Sequence, residues 1–128
     1  MSIRDNYLEI LKRKDAAAKR SGRNPEDVML MAVTKKHEPD ELREAIDAGA
    51  TDFGENKVQE LLSKYDEIHP ERWHLIGHLQ TNKVRQIIDK VTMIHSVDSL
   101  KLAREINKRA SAAGIVMDVL IEINLAEE

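Results

Sequence analysis

The sequence predicts an α/β fold built on a parallel sheet, and three observations carry that reading. Short aliphatic runs alternate with helix-period segments every ~20–25 residues, the spacing of βαβ crossovers. Turn residues bound the runs, as Asn24-Pro25 and Pro39 do for Val28 to Lys36. No linker or low-complexity segment interrupts the series, so residues 1–128 read as a single domain, long enough for a real core. Aromatic residues make up only 3% of the chain, so that core must be mainly aliphatic.

Taken in order, Ile3, Tyr7, Ile10, Leu11, Ala17 and Ala18 recur at helical spacing, with Ser2 as a cap and Gly22 as a stop. The run Val28 to Lys35 is too short for a buried helix and reads as a first strand buried on both faces. Pro39 suits the first turn of the next helix, Asp40 and Glu41 suit its positive end, and Gly49 suits the position after it. Ala50 to Gly54 is a short second strand, and Asn56 opens a helix carrying Val58, Leu61, Leu62 and Tyr65. Trp73 to Gly77 is a third strand, followed by a helix marked by Val84, Ile87 and Ile88. Val91 to Ser96 is a fourth. Asp98 or Ser99 caps a helix bearing Leu102, Ala103 and Ile106, which Gly114 closes before a fifth strand from Val116. Pattern alone leaves two architectures open, an open doubly wound sheet or a portion of a (β/α)₈ barrel, which needs roughly 200–250 residues when complete.

Charge and composition narrow the function. Lys and Arg total 20 against 23 Asp and Glu, a net charge of −3, so nothing electrostatic argues for nucleic acid or an anionic membrane surface. The absence of cysteine removes disulfides, thiol catalysis and thiolate metal sites. Met1 to Asn6 holds no apolar signal core and no stretch is long enough to span a bilayer, so a cytoplasmic protein is expected.

Three stretches carry candidate chemistry. Lys35 and Lys36 end the first strand, where α/β proteins place ligands, and being adjacent they point to opposite faces. A buried lysine there could lose its proton and attack an aldehyde, while the plainer alternative leaves both in solvent. Asn56 follows Phe53-Gly54-Glu55; its amide can donate and accept, and with Gln59 it also fits a capping box. Trp73 to Lys83 is the densest polar cluster, with His74 and His78. Gly77 and the apolar flanks favour a strand and turn there, so the pair is not set as helical metal ligands, and His74 also fits a buried histidine satisfied by backbone. Phosphate-loop and nucleophile-elbow motifs are missing.

Four blocks occur together in order: Ala32-Val33-Thr34-Lys35, Phe53-Gly54-Glu55-Asn56 with Gln59-Glu60, Trp73-His74 through Gln80 to Asn82-Lys83, and His95-Ser96-Val97-Asp98. This arrangement resembles the pyridoxal phosphate homeostasis proteins, also described as YggS/PROSC-like or alanine-racemase N-terminal-domain-like. The resemblance implies the N-terminal portion of a pyridoxal 5′-phosphate (PLP)-binding (β/α)₈ TIM barrel, with about five parallel strands, crossover helices and a leading helix. It implies a cofactor-binding set of Lys35, as an internal aldimine, Asn56 beside the ring and His74 lining the same mouth. It also implies a role in vitamin B6 balance without catalytic turnover; no metal is expected, on the spacing of His74 and His78 given above. In such proteins the phosphate cup and the partner of the pyridine nitrogen come from later strands.

Two other readings stand beside this one. One is a PLP enzyme such as an amino-acid racemase, which needs a second acid/base residue across the ring. The other is a truncated or engineered half-barrel that assembles without cofactor. Five strands of a barrel would leave the first and fifth edges unpaired, so a homo-oligomer formed through those edges is expected.

Overall fold

The computed structural model describes residues 2–125. Helix α1 (Ile3–Arg20) begins where the Ser2 hydroxyl accepts the Asp5 N–H, as its cap position predicts. Strand β1 (Met31–Val33) leads to α2 (Pro39–Asp47), whose start is fixed by a capping box between Glu38 and Glu41, with Pro39 in the first turn. Gly49 follows α2 at φ +111°, a conformation that suits glycine. Strand β2 (Asp52–Glu55), α3 (Val58–Tyr65), β3 (Arg72–Leu75), the single-turn α4 (Val84–Ile87), β4 (Met93–Val97), α5 (Leu100–Ala113) and β5 (Asp118–Ile121) complete the order. Ser99, rather than Asp98, caps α5 through its hydroxyl, and Gly114 closes it in the left-handed region.

All five strands are parallel, and they lie in the order β1-β2-β3-β4-β5. That order decides between the two architectures. A doubly wound sheet reverses its strand order at a switch point, whereas here every crossover advances by one strand in one direction. With right-handed crossovers, such a sheet collects its helices on one face and curls as the wall of a barrel does.

The register sorts side chains by face. Ala32, Phe53 and Trp73 align in one row, as do Leu75, Ile94 and Val119. Phe53, Leu75 and Ile94 are fully buried against helical Leu61, Val84, Ile87 and Leu102, and Phe53 meets Trp73 edge-on at 5.5 Å. The alternate rows, Met31-Asp52-Arg72 and Val33-Gly54-His74-Met93, occupy the opposite face.

The structure corrects several expectations. The apolar run from Val28 forms a strand of only three residues, and it is not buried on both faces, because Val33 is 47% exposed. Its neighbour β2 begins at Asp52, opposite Met31, so residues 28–30 have no ladder to join. The fifth strand is likewise shorter than its apolar run: Val116 lies outside it, and all four of its residues are exposed. Among the described residues no strand pairs on the outer side of β5. No helix of the described residues is long and apolar enough to cross a membrane.

Candidate functional site

The candidate residues lie at or just past the carboxyl ends of β1, β2 and β3. Thr34 continues the β1 ladder one step, donating its N–H to the Gly54 carbonyl at 3.0 Å. Its own carbonyl then accepts the His37 N–H at 3.1 Å, closing a four-residue turn with Lys35 and Lys36 at its centre. Lys36 takes φ +63°, the left-handed position of that turn. Both lysines are exposed, the plainer of the two alternatives that the sequence left open for this strand end. The turn lifts the chain off the sheet before helix α2 can cover either side chain.

Lys35 lies two residues past the Val33–Gly54 pair on the β1 side and Asn56 two residues past it on the β2 side, just beyond the paired row that holds Gly54 and His74. Asn56 is half-buried, and it does not cap the following helix: Lys57 holds that position, and the Asn56–Gln59 capping box does not form. Among the described residues, neither the Lys35 ammonium nor the Asn56 side-chain amide has a hydrogen-bonding or ionic partner. A cleft of 440 Å³ opens beside Asn56, lined also by Lys57, Gly77, His78 and Lys83.

His74 is placed differently. It is 1% exposed, one row deeper than Lys35 and Asn56, and side chains rather than backbone satisfy it. Its Nε2 lies 2.8 Å from Asp52 Oδ1, and its Nδ1 lies 3.0 Å from His95 Nε2. Arg72 completes the chain with two bonds to Asp52, at 2.7 and 3.0 Å. Burial works against ionisation of Asp52, but hydrogen bonds from Arg72, His74 and Thr51 outweigh it and hold the carboxyl at about 2. Burial, and then the charge of His74, pushes His95 below the ordinary histidine value. Both ring nitrogens of His74 are thus engaged, and its bonds link β2, β3 and β4 on this face.

Sequence reasoning missed Asp52, His95, Glu55 and Lys64. A signal existed for two of them, since a charged residue inside a short strand, as at Asp52 and Glu55, requires a partner when it is buried.

The geometry defines a class: five parallel strands joined by four crossover helices in singly wound order, as in the N-terminal part of a barrel, with an unpartnered lysine and asparagine just past the carboxyl ends of the first two strands. Residues 9–126 match the family described as alanine racemase, N-terminal domain, and the chain belongs to that family. Among curated relatives, it is 42% identical to the pyridoxal phosphate homeostasis protein of Aquifex aeolicus, covering 100% of this chain and 57% of the relative. It is 38% identical to the protein of the same name from Escherichia coli K12, covering 98% and 56%. The chain thus spans about half the length of the curated relatives it matches. Among solved structures, it superimposes on a protein of unknown function from Bifidobacterium adolescentis with a TM-score of 0.84 at 36% identity, covering 98% of this chain and 56% of the other. PipY of Synechococcus elongatus, solved with PLP bound, matches with a TM-score of 0.76 at 36% identity over 90% of this chain and 56% of that one.

Proposed function

We propose that this chain carries the cofactor-bearing part of a PLP homeostasis protein, holding pyridoxal 5′-phosphate on Lys35 in the cytoplasm without catalytic turnover. The single observation behind this reading is that Lys35 and Asn56, just past the ends of the adjacent paired strands β1 and β2, both carry side chains without a partner among the described residues. The PLP-bound relative PipY, 36% identical over this part, supports it. When bound, PLP supplies an aldehyde that condenses with a neutral lysine amine to an imine. Both amine hydrogens leave with the aldehyde oxygen as water, so no oxidant or reductant is needed. Lys35 provides the amine, and Asn56, free to donate and accept, orients a polar ring substituent. His74 acts from one row below by fixing the strands, not by touching the cofactor.

The reading without turnover draws support from His74 and His95, which are tied to Asp52 and to each other and so are not free to act as the second acid/base group that a racemase needs. The exposed side chains of β5 and the segment after it, with Ile121 at 74% and Ile123 at 70%, support self-association through this edge.

Titration of the purified chain with PLP, followed by visible absorbance, tests the proposal. The unaltered chain is expected to develop imine absorbance that Lys35→Ala lacks; identical spectra for the two would remove Lys35 as the site. Amino-acid racemisation assayed on the same samples is expected to stay at background.

A further inference from the structure

The site rests on a buried charge cluster whose position invites explanation. Glu55, the last residue of β2, is fully buried, and Lys64 on α3 is 8% exposed. Lys64 Nζ lies 2.9 Å from Glu55 Oε2 and 2.8 Å from the Thr34 carbonyl oxygen. The Thr34 hydroxyl donates to the same Glu55 oxygen at 2.7 Å, and the other carboxylate oxygen, Oε1, accepts the Asn56 backbone N–H at 3.2 Å. Glu60 adds an outer link, with Oε2 3.7 Å from Lys64 Nζ and 3.4 Å from the Lys36 N–H.

Burying an ion pair is costly, and apolar residues of similar volume often stabilise a core as well or better. The return here is positional. One carboxylate grips the residue before Lys35 through a hydroxyl and grips Asn56 through its backbone. One ammonium grips the carbonyl from which the Lys35 turn departs. We infer that Thr34, Glu55 and Lys64 form a buried clamp that fixes the turn carrying Lys35 relative to Asn56, making all three positioning residues for the cofactor site. The inference rests on the Lys35–PLP reading for its purpose, but not for its mechanical content, which concerns the free chain.

The clamp acts through specific bonds, so isosteric changes separate it from general stability. Thr34→Val removes the hydroxyl while keeping the shape, whereas Thr34→Ser keeps the donor. The double variant Glu55→Gln/Lys64→Met removes both charges together and leaves none uncompensated in the interior. Ile106→Val, in α5 and remote from the site, serves as a control that lowers stability alone. Two readouts are needed: amide hydrogen exchange at His37 and Asn56 without PLP, and the PLP concentration at half-saturation of Lys35.

Thr34→Val and the double variant are expected to speed exchange at both amides and weaken PLP retention, each by about tenfold, the scale of one lost hydrogen bond to a charged group. Thr34→Ser should match the unaltered chain, and Ile106→Val should lower the melting temperature while changing neither ratio. If Thr34→Val and the double variant leave both readouts unchanged, or change them no more than Ile106→Val does, the clamp is overturned while the cofactor reading stands. If exchange at His37 and Asn56 responds as expected but the unaltered chain never retains PLP on Lys35, the cofactor reading falls and the clamp stands.

Discussion

Gly77 packs directly on the backbone of Asn56: a Cβ built on Gly77 would lie 2.9 Å from both the carbonyl carbon and the Cα of Asn56, and closer still to its carbonyl oxygen. Backbone cannot swing aside as the end of a flexible side chain can. Gly77→Ala is therefore expected to displace Asn56 and to cost about 1–3 kcal/mol, the usual penalty for inserting a methyl group into a packed site. Thermal unfolding should record the loss, and PLP titration should show weaker retention by the variant. A Gly77→Ala chain that melts and binds as the unaltered one does would show that the contact is relieved without moving Asn56.

The carboxyl of Asp52, held down at about 2 from its reference of 3.8, links stability to acid. A depressed carboxyl contributes stability that is fully present above pH 3.8 and is lost as pH falls through about 2. The size of the shift corresponds to about 2 kcal/mol. Urea unfolding across this window should show that loss in the unaltered chain. Asp52→Asn should be less stable near neutrality and should lose correspondingly less on acidification; an unchanged acid limb in the variant would mean that Asp52 is not the titrating group.

His95 adds a second, milder slope. Its value in the fold lies below the reference of 6.5, so the unfolded chain takes up a proton first, and stability falls as pH drops below 6.5. Charged and hydrogen-bonding groups facing it include His74 directly and Asp52 one bond further on. His95→Gln is expected to flatten the decline in melting temperature over the range just below 6.5. A decline of equal slope in the variant would assign the effect to another group.

Strand β5 provides a prediction about assembly. Leu120 and Ile121 are 49% and 74% exposed at an edge where the described residues supply no further strand. An apolar edge of this kind templates pairing with another chain. Sedimentation should show the purified chain as a dimer or larger species, and Ile121→Lys should shift it towards monomer. A stable monomer of the unaltered chain at high concentration would contradict this expectation.

Much of the fold could be read locally. Ser2, Ser99 and Gly114 mark helix ends through bonds to residues a few positions away, and Pro39 marks one through its fixed φ in the first turn; the structure forms those ends as the residue types dictate. Strand limits were less legible because ladder length depends on a neighbour. Val28 to Leu30 are as apolar as Met31 to Val33 but have no partner opposite them. Asn56 shows tertiary context overriding a local pattern, since it had the spacing of a cap yet Lys57 took the position. In the site, Lys35 and Asn56 stood out through the blocks around them. The supporting bonds did not, because they join residues far apart in sequence, 9 positions for Glu55 with Lys64 and 22 for Asp52 with His74. Nothing in the local sequence near Lys64 distinguishes it from a solvated lysine on a helix.

Whether Lys35, and not its neighbour, carries PLP is read from peptide mapping after borohydride reduction of the PLP-treated chain. Reduction fixes the imine as a stable secondary amine at whichever lysine formed it. One dominant adduct on Lys35 is expected, sharply reduced by Gly77→Ala. An adduct concentrated on Lys36, or spread evenly over exposed lysines such as Lys12 and Lys19, would contradict it.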